Sequence, residues 1–179
     1  MRKWVGVLCG LAVGAALLGA PGAEAQGKAN RPSPPAKAEC KLSDGKSITI
    51  DYSSPRAKGR KVYGELVPFG QEWRTGANEA TTFVVGSNVT VGGKAVAAGS
   101  YTLYTVPNAN EWTLVVSKAT GQWGVPYPGA SQDLTRAPMK VSKLPAAVEN
   151  FTISLTPNAS GCTLNIDWET TRASVEIKK

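Results

Sequence analysis

The stretch Ser47-Ile48-Thr49-Ile50-Asp51-Tyr52 alternates polar and apolar side chains without a break. Successive residues of an extended chain face opposite sides, so this pattern predicts a β-strand with one buried face. The same reading extends outward. Residues 81–85, 89–91, 101–106, 112–117, 151–155, 163–168 and 174–177 are short runs rich in Val, Ile, Thr and aromatic residues, the types that pack well on a pleated surface. Turn chemistry separates them: Gly92-Gly93 lies between two short apolar runs, and Pro107-Asn108-Ala109-Asn110 joins residues 101–106 to 112–117 as a hairpin. Helical periodicity is scarce, amounting to a short turn near residues 144–149 or 69–74. About eight strands without intervening helices predict an all-β fold, a single antiparallel β-sandwich or jelly-roll-like domain with few or no helices. A closed barrel is the alternative.

The beginning of the chain has a different character. Arg2 and Lys3 precede an apolar run, residues 5–18, and Ala23-Glu24-Ala25 before Gln26 forms a small-x-small site. This is the pattern of a signal peptide cleaved after Ala25. Gly10, Gly14, Gly19 and Pro21 interrupt the run, so it lacks the roughly 20 continuous apolar residues of a spanning helix. The expected destination is therefore the periplasm or the extracellular medium, with no stable membrane insertion after cleavage. The following QGKANRPSPPAK is proline-rich and nearly devoid of apolar residues. It reads as a flexible leader over residues 26–38, which leaves residues 39–179 as the single β domain.

Cysteine usage fits that destination. Loss of Cys9 with the signal peptide leaves Cys40 and Cys162, an even pair in an oxidising compartment that is expected to form a disulfide. Two buried free thiols are the alternative. Removing residues 1–25 changes the net charge from +7 to +6, since Arg2, Lys3 and Glu24 depart together. A basic exported domain favours anionic partners such as acidic glycans. The compartment and the lack of an aromatic-and-basic motif argue against nucleic acid.

Several runs carry a resemblance to a known family: SPRAKGRKVYGELVPFG at 54–70, WRTGANEATT at 73–82, AGSYTLYTVP at 98–107, EWT at 111–113 and ENFTI at 149–153. Together they closely resemble the bacterial family known as domain of unknown function 2911, across most of the mature chain. The resemblance implies an exported bacterial domain and supplies no substrate or catalytic residues.

Chemistry must therefore be argued from the residues. The chain contains no histidine, which removes Ser-His and Cys-His nucleophilic machinery and the commonest transition-metal ligand. No phosphate-cradling loop, dinucleotide fingerprint or G-x-S-x-G elbow is present, so no cofactor and no metal are expected. Asn108, Asn110 and Glu111 lack the carboxylate spacing of a calcium loop. What remains for catalysis is carboxylate chemistry among Asp51, Glu65, Glu72 and Glu79, of the kind a glycan hydrolase uses.

The reading preferred over an enzyme is a non-catalytic module that binds a small anionic or carbohydrate ligand, or an envelope partner. Its candidate residues are Arg56, Lys58 and Arg60 on one loop, and Trp73, Arg74, Asn78 and Glu79 on a second. Guanidinium groups suit carboxylate or phosphate, and an indole offers a flat surface to a sugar or an apolar body. Three alternatives stand beside this: Arg74 pairing with Glu65 or Glu79, Trp73 filling core, and a structural envelope protein without a pocket.

Overall fold

The computed structural model describes residues 30–179; the signal peptide expected over residues 1–25 lies outside them. The chain is all-β. Nine strands run β1 (Pro35–Lys41), β2 (Ser47–Ser53), β3 (Thr81–Val85), β4 (Val89–Val91), β5 (Lys94–Val96), β6 (Gly99–Val106), β7 (Glu111–Ser117), β8 (Asp133–Asn158) and β9 (Gly161–Lys178), with one 3₁₀ turn at Ala130–Gln132. Every pairing is antiparallel. The strands form one sheet in the order β1-β2-β3-β6-β7-β8-β9-β4-β5, not closed into a barrel.

That single sheet folds over on itself, so its two layers are halves of one sheet. Cys40 of β1 is disulfide-bonded to Cys162 of β9, six places away in the sheet order, with Cα atoms 6.6 Å apart. Tyr52 of β2 meets Phe151 of β8 edge to face at 5.7 Å, and its hydroxyl accepts the amide of Ile153 at 3.0 Å. Ile48, Ile50, Phe83, Leu103, Trp112 and Ile166 are fully or almost fully buried between the halves. The alternation in residues 47–52 is thus the footprint of this interior.

Two strand boundaries differ from the sequence expectation for a physical reason. The expected strands 163–168 and 174–177 are one strand, β9, in which the buried positions change parity: Cys162, Leu164, Ile166 and Trp168 point inward, then Ala173, Val175 and Ile177. Glu169, with φ 49, sits at the change, and the pairing register with β8 shifts there. A bulge of this kind resets which face is buried. The turn expected near 144–149 is part of β8, where the register shifts between Lys143 and Val148 accommodate Pro145.

The expected leader, residues 26–38, also needs correction where it is described. β1 begins at Pro35, and the approach to it is already attached: Arg31 donates to both Glu79 carboxylate oxygens at 2.8 Å, and the Pro34 carbonyl accepts the Ser54 amide at 2.9 Å. Proline is tolerated at the first position of an edge strand, where its missing N–H costs nothing. Low apolar content did not prevent ordering because backbone pairing with β2 supplies the attachment.

The first residue of β9 makes a backbone approach that only glycine permits. A Cβ on Gly161, whose φ is 150, would lie 2.3 Å from the Ile177 carbonyl oxygen. Gly161→Ala is expected to cost about 3 kcal/mol through overpacking and backbone strain. Urea unfolding measures this; an unchanged midpoint contradicts the contact.

Candidate functional site

Two long connections, 54–80 between β2 and β3 and 118–132 between β7 and β8, meet where the Ala80 amide donates to the Gln122 carbonyl at 3.2 Å. The first half of the β2–β3 connection is fastened to β8 and β9. Ser54 Oγ donates to the Phe151 carbonyl at 2.6 Å, and the Pro55 carbonyl accepts the Phe151 amide at 2.9 Å. The Lys58 amide donates to Glu149 Oε1 at 2.8 Å, and the Val62 amide to Glu169 Oε1 at 3.1 Å. The second half is fastened to β6: Trp73 and Thr105 exchange both backbone hydrogen bonds, at 2.8 and 2.9 Å. Thr75, fully buried, donates from Oγ1 to the Thr105 hydroxyl at 3.2 Å.

These attachments hold unusual backbone. The four described non-glycine residues with positive φ are Lys58, Thr75, Asn78 and Glu169. Three belong to the β2–β3 connection and the fourth holds it through Val62. For a β-branched residue such as Thr75, φ 54 is a strained conformation that the surroundings must enforce.

The connection folds so that its two halves meet across a cleft of about 350 Å³. Pro55, Arg60 and Leu66 line it from the first half, Trp73 and Arg74 from the second, and Val125 from the β7–β8 connection. Trp168 of β9 lines it as well and stacks on Trp73 with ring centroids 6.0 Å apart and planes inclined 17°. Phe151 packs edge-on against both indoles, at 5.1 and 5.5 Å. The Trp168 indole N–H is committed to the Glu149 carbonyl at 3.0 Å, which fixes the ring.

Both arginines are held by neutral acceptors. Arg60 donates from Nε to the Ala57 carbonyl at 2.9 Å and from Nη2 to the Arg56 carbonyl at 2.6 Å. Arg74 donates from Nη1 to the Trp123 carbonyl at 3.3 Å and lies over the Trp123 ring, 5.5 Å from its centroid. Partial burial lowers the Arg74 pKa from its ordinary value, opposed by Tyr104 and Glu79 at longer range; the guanidinium stays charged at neutral pH. Among the described residues, neither arginine forms an ion pair.

Of the seven residues singled out from sequence, Arg60, Trp73 and Arg74 line the cleft, and Arg56, Lys58, Asn78 and Glu79 do not. Arg56 donates to the Ser54 carbonyl and hydroxyl, each at 2.7 Å. Asn78 donates from Nδ2 to the Ser33 carbonyl at 2.9 Å, and Glu79 accepts from Arg31. These side chains shape the loops. Sequence reasoning missed Leu66, Val125 and Trp168, whose places come from three separate parts of the chain. Trp168 ends the alternating run 163–168, but nothing local distinguishes it from a core ring.

The carboxylates considered for catalysis have other engagements. Glu65 pairs with Lys61 at 3.3 Å and Glu72 with Arg136 at 2.9 Å, while Asp51 and Glu79 line a shallow depression of about 180 Å³. Arg136 also pairs with Asp133 at 2.7 Å, and the Tyr127 hydroxyl closes on that carboxylate. Burial and then the bond to Asp133 push the Tyr127 pKa up to about 12. Among the described residues, no three Cys, Asp or Glu side chains are placed to hold a metal ion, and no helix is long and apolar enough to cross a membrane.

Fold and site together define an all-β domain in which one long interstrand connection builds a cationic, indole-floored cleft. A family model described as protein of unknown function (DUF2911) matches residues 33–177, nearly all of the described chain. The chain belongs to that family. No curated protein matches it, and no solved structure does.

Proposed function

We propose that this is an exported, non-catalytic binding domain whose cleft receives a small anionic or carbohydrate ligand. The observation that carries the reading is the meeting of Arg60 and Arg74 with the stacked Trp73–Trp168 pair in one concave site. Both guanidiniums keep donors beyond those used internally, since each offers five N–H groups in a planar fork. A small number of polar groups over an aromatic surface is the usual make-up of a small-molecule site. The strained backbone of Thr75 and the positive φ of Asn78 support it, because strain is retained where the surrounding structure holds a functional geometry. Export rests on the basic, apolar and small-residue succession of residues 1–25, and the Cys40–Cys162 disulfide suits an oxidising compartment.

Thermal-shift screening of the purified protein against acidic sugars, sugar phosphates and small carboxylic acids tests the reading. A ligand at 100 times its Kd is expected to stabilise the protein by about 2.7 kcal/mol, and Arg74→Ala is expected to abolish most of that gain. A ligand that stabilises Arg74→Ala and Trp73→Ala as well as the parent binds elsewhere and refutes the site.

A further inference from the structure

The polar and apolar parts of the cleft are unequal in a way that bears on the ligand class. Its side chains include two arginines, one serine and two indoles, but no carboxylate and no carboxamide. The Ser33 carbonyl at its edge already accepts Asn78. A sugar presents several hydroxyls, each needing acceptors as well as donors, and this cleft is rich in donors and poor in side-chain acceptors.

Its apolar surface, by contrast, is generous. Leu66 is 41% and Val125 64% exposed, two of the few large apolar side chains open to solvent, and both lie on the cleft beside Trp73. Exposed apolar groups gathered at one concave place mark a surface that something apolar covers. The volume of about 350 Å³ lies at the small end of ligand sites, enough for one ring or a short acyl chain with its head group.

We infer that the ligand is a small carboxylate with an aromatic or acyl body, the body lying against Trp73, Leu66 and Val125 and the anion taken by Arg60 and Arg74. This rests on the cleft being a binding site and narrows the chemistry it accepts. A guanidinium–carboxylate pair is charge-assisted and suits partly desolvated surroundings, whereas a neutral amide of the same shape forfeits that contribution.

Three probes decide it on the unmodified protein: 3-phenylpropionate, its neutral amide 3-phenylpropionamide, and a neutral methyl glycoside. Indole N–H resonances in a two-dimensional NMR titration supply the readout. The carboxylate is expected to shift the Trp73 indole and to bind at least ten-fold more tightly than the amide, with Arg74→Gln removing most of that preference. An amide that binds as tightly as the acid overturns the anionic assignment. Tighter binding of the glycoside, with shifts at Trp73, overturns the ligand class while leaving the cleft as a binding site. Silence of all three probes at the cleft indoles counts against the site itself, and so against the reading beneath.

Discussion

The Cys40→Ala/Cys162→Ala variant is expected to lose about 5 kcal/mol of stability. The bond joins residues 122 positions apart, and in the chain-entropy model a loop of that length gives about that figure. Two features place the loss at the upper end of what disulfides contribute. Both cysteines are buried, at 3% and 0% exposure, so the substitutions also remove packing volume. The bond also links β1, an edge of the sheet, to β9 on the opposite layer, so it acts directly on the closure that makes the interior. For a domain of this size the thermal midpoint should fall by roughly 10–20 °C. Scanning calorimetry of the oxidised, reduced and doubly substituted protein makes the comparison. If reduction leaves the midpoint unchanged, the cross-link contributes nothing and the closure is held by the core alone.

Trp168→Ala is the second large effect, expected at about 4 kcal/mol. Trp168 is 1% exposed and meets four partners at once: Trp73 in a stack, Phe151 and Tyr63 edge-on, and the Glu149 carbonyl through its indole N–H. These partners come from both halves of the β2–β3 connection and from β8, so the cavity left behind lies where the cleft is assembled. Trp168→Phe should recover much of the stability by refilling volume, without the hydrogen bond to Glu149. Denaturant unfolding reads the stability of both variants, and the ligand titration reads the cleft. Full stability in the alanine variant would mean that Trp73 and Phe151 hold the connection without it.

The two effects separate what was legible in the sequence from what was not. Residues 81–85 are readable as β3 to the residue, because β-branched and aromatic content speaks for a strand regardless of its partners. The hairpin at residues 107–110 was equally clear, since its turn residues are local. In the sequence β9 reads as two pieces because the inward face inverts at Glu169, and that bulge is made by pairing with β8. The opening half of β8 carries charges, prolines and alanines in place of a strand pattern. It is extended because β7 and β9 flank it and supply its backbone partners.

The site divides along the same line. Arg60, Trp73 and Arg74 stand out in the sequence because polar and aromatic residues crowd two loops bounded by glycine and proline. Arg56, Lys58, Asn78 and Glu79 belong to the same crowding, but Arg56 bonds the Ser54 carbonyl, Asn78 the distant Ser33 carbonyl and Glu79 the distant Arg31, while Lys58 is held through its backbone amide, a distinction that depends on which partner lies within reach.

Taken alone, the amino-acid sequence determined the class of the fold, the membership in a family, the absence of histidine chemistry and the pair of cysteines available for a bond. Those properties follow from side-chain type and short-range periodicity. The folding of one sheet over itself, the meeting of Arg60 with Arg74 and the stacking of Trp168 under Trp73 were decided by the tertiary structure. They join residues as much as 122 positions apart, whose proximity is set by strand order and register, and no local pattern carries that information.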